Sequence, residues 1–233
     1  EAIGFYITGH PLDAYQDLIE KFANTNAIAL REEDARDGAM VRIGGLIRTV
    51  KTITTKRGDP MAFLELEDMQ GAVEVTVFNS VYVGVQDLLV EDAAVFVQGQ
   101  VQKNEKSVKL LADSIIPIEA AEETWAASLH LTVDTGFCEE QALDRLYEIL
   151  RKYPGPCKGY LHLVIPEKTE TVIELPDQMK VRVGIDLTRE INKLLGTSAI
   201  QTHCGPIPAA RNKNGNGNGN GNGKRKGRAK ARH

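Results

Sequence analysis

From residue 41 onward the apolar positions fall into short runs with a period of two. VRIGGLIRTV (41–50), MAFLELED (61–68), AVEVTVFN (72–79), AVFVQGQVQ (94–102) and VKLLADSIIPI (108–118) are rich in Val, Ile and Phe and predict five strands. In the second run Ala62, Leu64 and Leu66 share one face, while Met61, Phe63, Glu65 and Glu67 share the other. In the third, Val73, Val75 and Val77 oppose Glu74, Thr76 and Phe78. One face of each strand therefore fills a core and one faces outward. Met69-Gln70-Gly71 predicts a tight turn between the second and third strands, with Gly71 free to take a positive φ. Gly44-Gly45 marks a sharp bend in the first strand and a place for a bulge. Residues 80–89 are long enough for a helical or irregular crossover before the fourth strand. Three strands, a crossover and two more strands is the order of the five-stranded OB barrel.

Helical spacing appears on either side of this region. After a His10-Pro11 turn, Leu12, Tyr15, Leu18, Ile19 and Phe22 predict a short amphipathic helix, and residues up to Gly38 form a connector without chemistry of its own. Beyond residue 127 the chain predicts a strand (129–134), a helix (139–153) ended by Pro154-Gly155, a strand pair (159–165 and 170–175), a helix (186–196) and a short strand (198–202). Asp186 is the expected N-cap of the last helix and Gly196 its closing residue. This β-α-β-β-α-β order predicts a small α+β unit with a split βαβ arrangement. The stripes Leu143, Leu146, Ile149, Leu150 and Leu187, Ile191, Leu194, Leu195 read as its core, and His130 and His162 as ordinary face residues. Residues 212–223 alternate Asn and Gly and lead into KRKGRAKARH, a segment with nothing to bury and an expectation of disorder. The divisions expected are 1–38 (helix and connector), 39–119 (barrel), 120–127 (linker), 128–204 (α+β unit) and 205–233 (basic tail).

Composition refines this picture. With 233 residues and 42% hydrophobic content the chain suits two small cores. No window approaches the ~20 consecutive apolar residues of a membrane helix, so a cytoplasmic protein without a membrane partner is expected. The first residue is Glu1, inside a helix-forming segment, which suggests a fragment. Cys138, Cys157 and Cys204 form no CxxC pair and have no histidine at ligand spacing, so they read as reduced thiols, with no metal site and no cofactor expected. The net charge of −4 divides unevenly: from Arg211 on there are 8 bases and no acid, leaving 20 bases against 32 acids before it.

An OB barrel holds an extended strand on strands 2 and 3 and on the connections between strands 1 and 2 and between strands 4 and 5. Here the first connection (51–60) carries Lys51, Lys56 and Arg57, the second (103–107) carries Lys103 and Lys106, and strand 1 adds Arg48. These cations are expected along one rim, where phosphates would be neutralised and affinity would fall with salt. Across residues 38–118 there are 8 bases against 10 acids, and Glu65, Glu67 and Glu74 would repel phosphate on a shared face, so binding is expected to be weak. Phe63 fits either a base-stacking role or packing beneath a neighbouring segment, whereas Phe78 is expected to pack beneath the crossover or the N-terminal helix. His10 reads as a structural cap. No GxSxG, HExxH, Walker or GxGxxG context appears, so no catalytic residue is expected.

IGFYITGHPLDAY (3–15) followed by FLELEDMQGAVEVTVF (63–78), and further on YPGPCKGYLHLVI (153–165) and VGIDLTREINKLLG (183–196), resemble the C-terminal portion of the alpha subunit of bacterial DNA polymerase III. The resemblance covers residues 1 to about 200, and GFY-x-x-GHPL is its most specific string. It implies a parent DNA-directed DNA polymerase, a nucleotidyltransferase whose catalytic palm and sliding-clamp motif lie in segments before this chain, so that no enzyme activity is expected of the chain alone. It further implies that the barrel meets single-stranded template DNA and that the α+β unit docks on the clamp-loader tau protein, with the remaining polymerase domains as neighbours. The alternative is a protein-interaction scaffold whose barrel packs on neighbouring domains without binding DNA. An independent enzyme with an OB appendage is the least supported class.

Overall fold

The computed structural model describes residues 10–32, 36–104, 107–134, 136, 141–165, 169–196 and 199–208. Five strands close into a barrel in the order β1-β2-β3-β5-β4: β1 Met40–Thr54, β2 Pro60–Glu67, β3 Ala72–Val77, β4 Ala94–Lys103 and β5 Val108–Pro117. Strand β1 makes the closure possible because its two halves pair with different neighbours. Met40 to Leu46 pair with β4, and Leu46 to Thr54 pair with β2. A parallel pairing of β3 with β5 (Glu74 with Lys109, Thr76 with Leu111) completes the ring.

The bulge in β1 lies at Arg48, not at Gly44-Gly45. Pairing runs Ile47 with Leu66 and then Thr49 with Glu65, so Arg48 is the extra residue. Gly45 serves close approach instead: a Cβ there would stand 2.5 Å from the Glu67 carbonyl oxygen. A second bulge lies where β4 passes from Gln98, opposite Ser114, to Gly99, opposite Ala112, and a Cβ at Gly99 would collide with the Leu111 carbonyl oxygen. Inside the barrel Ile43, Ile47, Leu64, Leu66, Val75 and Leu110 are buried. The crossover is a helix, α3 (Asn79–Val85), whose Val81, Tyr82 and Val85 pack on that core.

The turn after β2 departs from expectation too, since Gly71 is not among the positive-φ glycines. Asp68 shapes it: Oδ1 accepts from the amides of Gln70 (2.8 Å) and Gly71 (2.9 Å), and Oδ2 accepts from Ala27 (2.6 Å). That last bond ties the hairpin to α2 (Ala27–Arg31), a helix within the expected connector, capped by Asn26.

Outside the barrel a second cluster joins α1 (Gln16–Phe22), preceded by a 3-10 turn, to α4 (Ala121–Trp125), where a plain linker was expected. Phe22, Phe96 and Ile118 are buried there with Trp125 against them. Within the cluster lies Arg42, an outward residue of β1 that is only 2% exposed. Its guanidinium sits 3.7 Å from the Trp125 ring centroid and donates to Gln98 Oε1 (2.8 Å) and to Cys204 Sγ (2.9 Å). Among the described residues it has no carboxylate partner.

The second sheet has the order β8-β7-β6-β9, with β6 Ala126–Asp134, β7 Pro154–Ile165, β8 Thr169–Glu174 and β9 Ile200–Cys204. Helices α5 (Ala142–Lys152) and α6 (Ile185–Leu195) contribute Leu146, Leu150, Leu187 and Ile191 to its core. The β-α-β-β-α-β order stands, but the arrangement is not split. Strands β6 and β7 are directly paired and parallel, so β8 takes the outer edge of β7 and β9 the free edge of β6. Three smaller expectations also change. Leu143 is exposed rather than core, Gly184 rather than Asp186 precedes α6, and no side chain caps that helix; Gly196 closes it at φ 95°. Cys157 and Cys204 are free thiols, and burial pushes the Cys157 thiol up to about 11. Cys138, Lys106 and the tail from residue 209 onward lie outside the described residues.

Three alanine substitutions separate close approach from mere flexibility. Gly99→Ala and Gly45→Ala each force backbone apart and are expected to lower the thermal midpoint by roughly 3–10 °C, from overpacking of ~1–3 kcal/mol. Gly84→Ala, within α3 and with nothing within 4 Å of the new methyl, is expected to leave it unchanged or raise it.

Candidate nucleic-acid interface

The bulge at Arg48 decides what the barrel shows to solvent. Before it, odd-numbered residues of β1 point inward; after it Thr49, Lys51 and Ile53 point outward, opposite Glu65, Phe63 and Met61 of β2. The outward row continues across β3 and β5, through Glu74 and Thr76 to Lys109 and Leu111. On this face lies an open groove of about 720 Å³ lined by Lys51, Phe63, Glu65, Glu74, Lys103 and Arg31, among others. A neighbouring groove of about 660 Å³ shares Phe63, Lys103 and Asn104 with it and adds Met61, Phe78 and Lys109. Phe63 is half-buried where the two meet.

Of the seven residues singled out in the sequence, three converge here: Lys51, Phe63 and Lys103. The end of β1, through Lys51, and the β4-β5 connection, through Lys103, Asn104 and Ser107, thus flank one groove. Lys56 and Arg57 are exposed at the tip of the β1-β2 hairpin, whose turn is closed by Gly58 at φ 88°, and do not line the groove. Arg48 is occupied elsewhere: it donates to both Glu67 carboxylate oxygens at 2.9 Å and to Asp92 at 2.9 Å. Lys106 lies outside the described residues. Phe78 is 43% exposed rather than packed beneath the crossover, because it precedes α3 as its N-cap residue.

Two cations of the site escaped the sequence reading. Arg31 ends α2 and donates to the Ala72 carbonyl oxygen, reaching the groove from a segment that reads as a connector. Lys109 was findable, since alternation along β5 sets it opposite the inward Leu110.

The groove's charge is nearly balanced. Arg31, Lys51, Lys103 and Lys109 face Asp37, Glu65 and Glu74 across the two lobes. Lys109 pairs with Glu74 at 2.6 Å, which relieves the like-charge opposition of Glu65 and Glu74 across β2 and β3. Lys103 Nζ donates to the Glu32 carbonyl oxygen (2.9 Å), while Lys51 has no charged partner among the described residues. His10 Nδ1 accepts from the Leu12 amide at 3.2 Å, a capping role. Among the described residues no group of three or more His, Cys, Asp or Glu is placed to hold a metal ion, and no helix is long and apolar enough to cross a membrane.

Residues 41–118 match a family model described as an OB-fold nucleic acid binding domain. The longer relatives are DNA polymerase III alpha subunits. That of Pseudomonas aeruginosa is 31% identical over 198 residues, covering 84% of this chain and 16% of its own length. That of Mycobacterium tuberculosis is 26% identical over 200 residues, covering 86% of this chain and 17% of its own length. The chain belongs to the DNA polymerase III alpha subunit family. It spans about a sixth of the length of the alpha subunits it matches. Among solved structures, a replication protein A heterotrimer bound to ssDNA aligns with 36% of this chain and 60% of its own, at 15% identity and a TM-score of 0.29, a likeness too slight to carry an argument.

The Arg48 cluster is structural and carries an expected pH dependence. Hydrogen bonds from Arg48 hold the Glu67 carboxyl below its usual range. A depressed carboxyl stabilises the fold above its unfolded value of about 4.3 and loses that contribution as pH falls through the folded value. Arg48→Gln is therefore expected to melt earlier than the parent at pH 7, with the gap closing as pH drops below about 4, in parallel thermal melts. A gap of constant size across that range would remove Glu67 from the explanation.

Proposed function

We propose that this stretch of the alpha subunit is a noncatalytic module of the replicative polymerase that binds single-stranded DNA in the barrel groove. The observation that carries the reading is the convergence of Lys51, Phe63 and Lys103 on one groove. A strand laid across β2 and β3 could stack a base on Phe63 while its phosphates meet Lys51 on one side and Lys103 on the other. The acids on the same face keep the affinity low, which suits a template that must slide. In this reading residues 39–119 form the DNA-binding unit and nucleotide transfer belongs to other parts of the parent polypeptide. A replication role implies a cytoplasmic address.

Residues 128–204 form the docking unit, with the clamp-loader tau protein as partner. The support is a groove of about 600 Å³ between α5 and α6, lined by Ile149 and Leu194 with charged residues around them, and the exposed Leu143 and Tyr147 on α5. A pull-down of tau by the full chain tests this half of the proposal.

The competing reading, a scaffold whose groove receives a neighbouring polypeptide, draws on the near balance of charge. Fluorescence anisotropy with a labelled oligonucleotide across a salt series separates the two. Each phosphate contact contributes a slope of about 0.7 in log affinity against log salt for single strands. Lys51→Ala with Lys103→Ala should flatten the slope by roughly 1.4, and Phe63→Ala should weaken binding about 5- to 150-fold, from the loss of ~1–3 kcal/mol of stacking. Lys56→Glu with Arg57→Glu should cost less than reversing Lys51 and Lys103. Equal affinity in the parent and the Lys51/Lys103 variant contradicts the groove and favours the scaffold.

A further inference from the structure

The face of the second sheet opposite α5 and α6 carries a cluster of histidines remote from the groove. His130 on β6 is its centre. Its Nδ1 lies 2.8 Å from His162 Nε2 on β7, and its Nε2 lies 3.0 Å from Ser128 Oγ. His162 Nδ1 lies 2.6 Å from Glu170 Oε1 on β8. The ring of His203 on β9 stands 4.4 Å from that of His130, and the Tyr160 ring stacks on His130 at 4.8 Å. All four strands of the sheet thus contribute to one contact network.

With the imidazoles neutral, one proton arrangement satisfies it. With Glu170 ionised, His162 donates from Nδ1 and accepts at Nε2; His130 then donates from Nδ1 and accepts the Ser128 hydroxyl proton at Nε2. The other charged groups that register puts on this face are Asp134 on β6, Lys158 on β7 and Glu174 on β8, and Lys158 pairs with Glu174 at 2.8 Å. Glu170 reaches His162 alone, and among the described residues no carboxylate pairs with His130 or His203.

We propose that this cluster is an acid-sensitive latch, in which protonation of the facing pair His130 and His203 loosens β9 from β6 and, through β9, the seam between the second sheet and the barrel. Charges on His130 and His203 would stand 4.4 Å apart, ring to ring, across β6 and β9, with no carboxylate between them among the described residues. Burial, with His203 and His162 nearby, holds the His130 imidazole below its usual value. A depressed histidine binds its proton more tightly in the opened form, so the sheet is fully held above about pH 6.5 and yields as pH falls below it. Strand β9 transmits the effect because it carries the seam. Thr202 Oγ1 donates to Glu122 at 3.0 Å, Cys204 Sγ accepts from Arg42 at 2.9 Å, and the Gly205 amide donates to the Trp125 carbonyl at 3.1 Å.

Hydrogen exchange of the full chain between pH 7.5 and 5.5, expressed as protection factors so that the intrinsic pH effect cancels, tests the latch. Protection over Ile200–Cys204 is expected to fall several-fold, up to about tenfold for one imidazole, while the barrel strands hold theirs, and the emission of Trp125, the chain's one tryptophan, is expected to shift over the same range. His203→Gln, an exposed substitution, should remove most of both changes. His130→Phe should do the same, with barrel protection reporting that the variant is folded. A β9 protection factor constant within about twofold, or an undiminished fall in His203→Gln, overturns the proposal.

Discussion

A strand that gains one residue against its partner exchanges the side chains it shows to the two faces of the sheet. In β1 that exchange falls at Arg48, and the groove depends on it. Val41, Ile43 and Ile47 point into the barrel before the bulge, and Val50 resumes the inward row after it. Without the added residue Lys51 would point toward Leu64 and Leu66 instead of joining Phe63 on the outside. The bulge is held from both sides: Glu67 and Asp92 grip the Arg48 side chain, and Gly45 lets β2 approach where β1 passes from one neighbour to the other. Arg48 acts on the groove through backbone geometry, not through its charge.

The outward face of β1 has two fates along its length. Beyond the bulge it is open and lines the groove. Before it, Arg42 is sealed under α1, α4 and β9, and this charged residue is what the two halves of the molecule share. Burying a guanidinium without a carboxylate is costly unless every donor is satisfied. Here each guanidinium nitrogen has an acceptor, among Gln98, the Phe22 carbonyl and Cys204, and the Trp125 face covers the plane. Since one of those partners is on β4 and another on β9, the barrel and the second sheet are joined by a polar contact inside an aromatic cluster.

Much of this was legible in the sequence, and the misses have a common cause. The five barrel strands follow from alternation, because a half-buried strand must repeat every two residues. The helix-closing Gly196 and the groove residues Lys51, Phe63 and Lys103 follow from local rules about caps and connections. What the sequence hid was set by contacts between distant segments. Asp68 reads as the end of a strand, yet it organises a turn and caps the start of α2 at once. Arg42 reads as a solvent-facing strand residue, yet partners up to 162 positions away bury it. The order of the second sheet was beyond reach for the same reason: β-α-β-β-α-β is compatible with β8 inside or outside the β6-β7 pair. His130 and His162 look like ordinary face residues until pairing brings them together with Glu170 and His203.

The account rests on the outward face of β1, β2 and the β4-β5 connection as the place where a nucleic-acid strand lies. Mapping backbone amide shifts of the full chain by two-dimensional NMR, as a short single-stranded oligonucleotide is added, addresses that directly. The account predicts perturbations concentrated at Thr49 to Ile53, Met61 to Glu65 and Lys103 to Lys109, fading as salt is raised. Perturbations confined to the second sheet, or none at concentrations where binding is seen by other means, would contradict it.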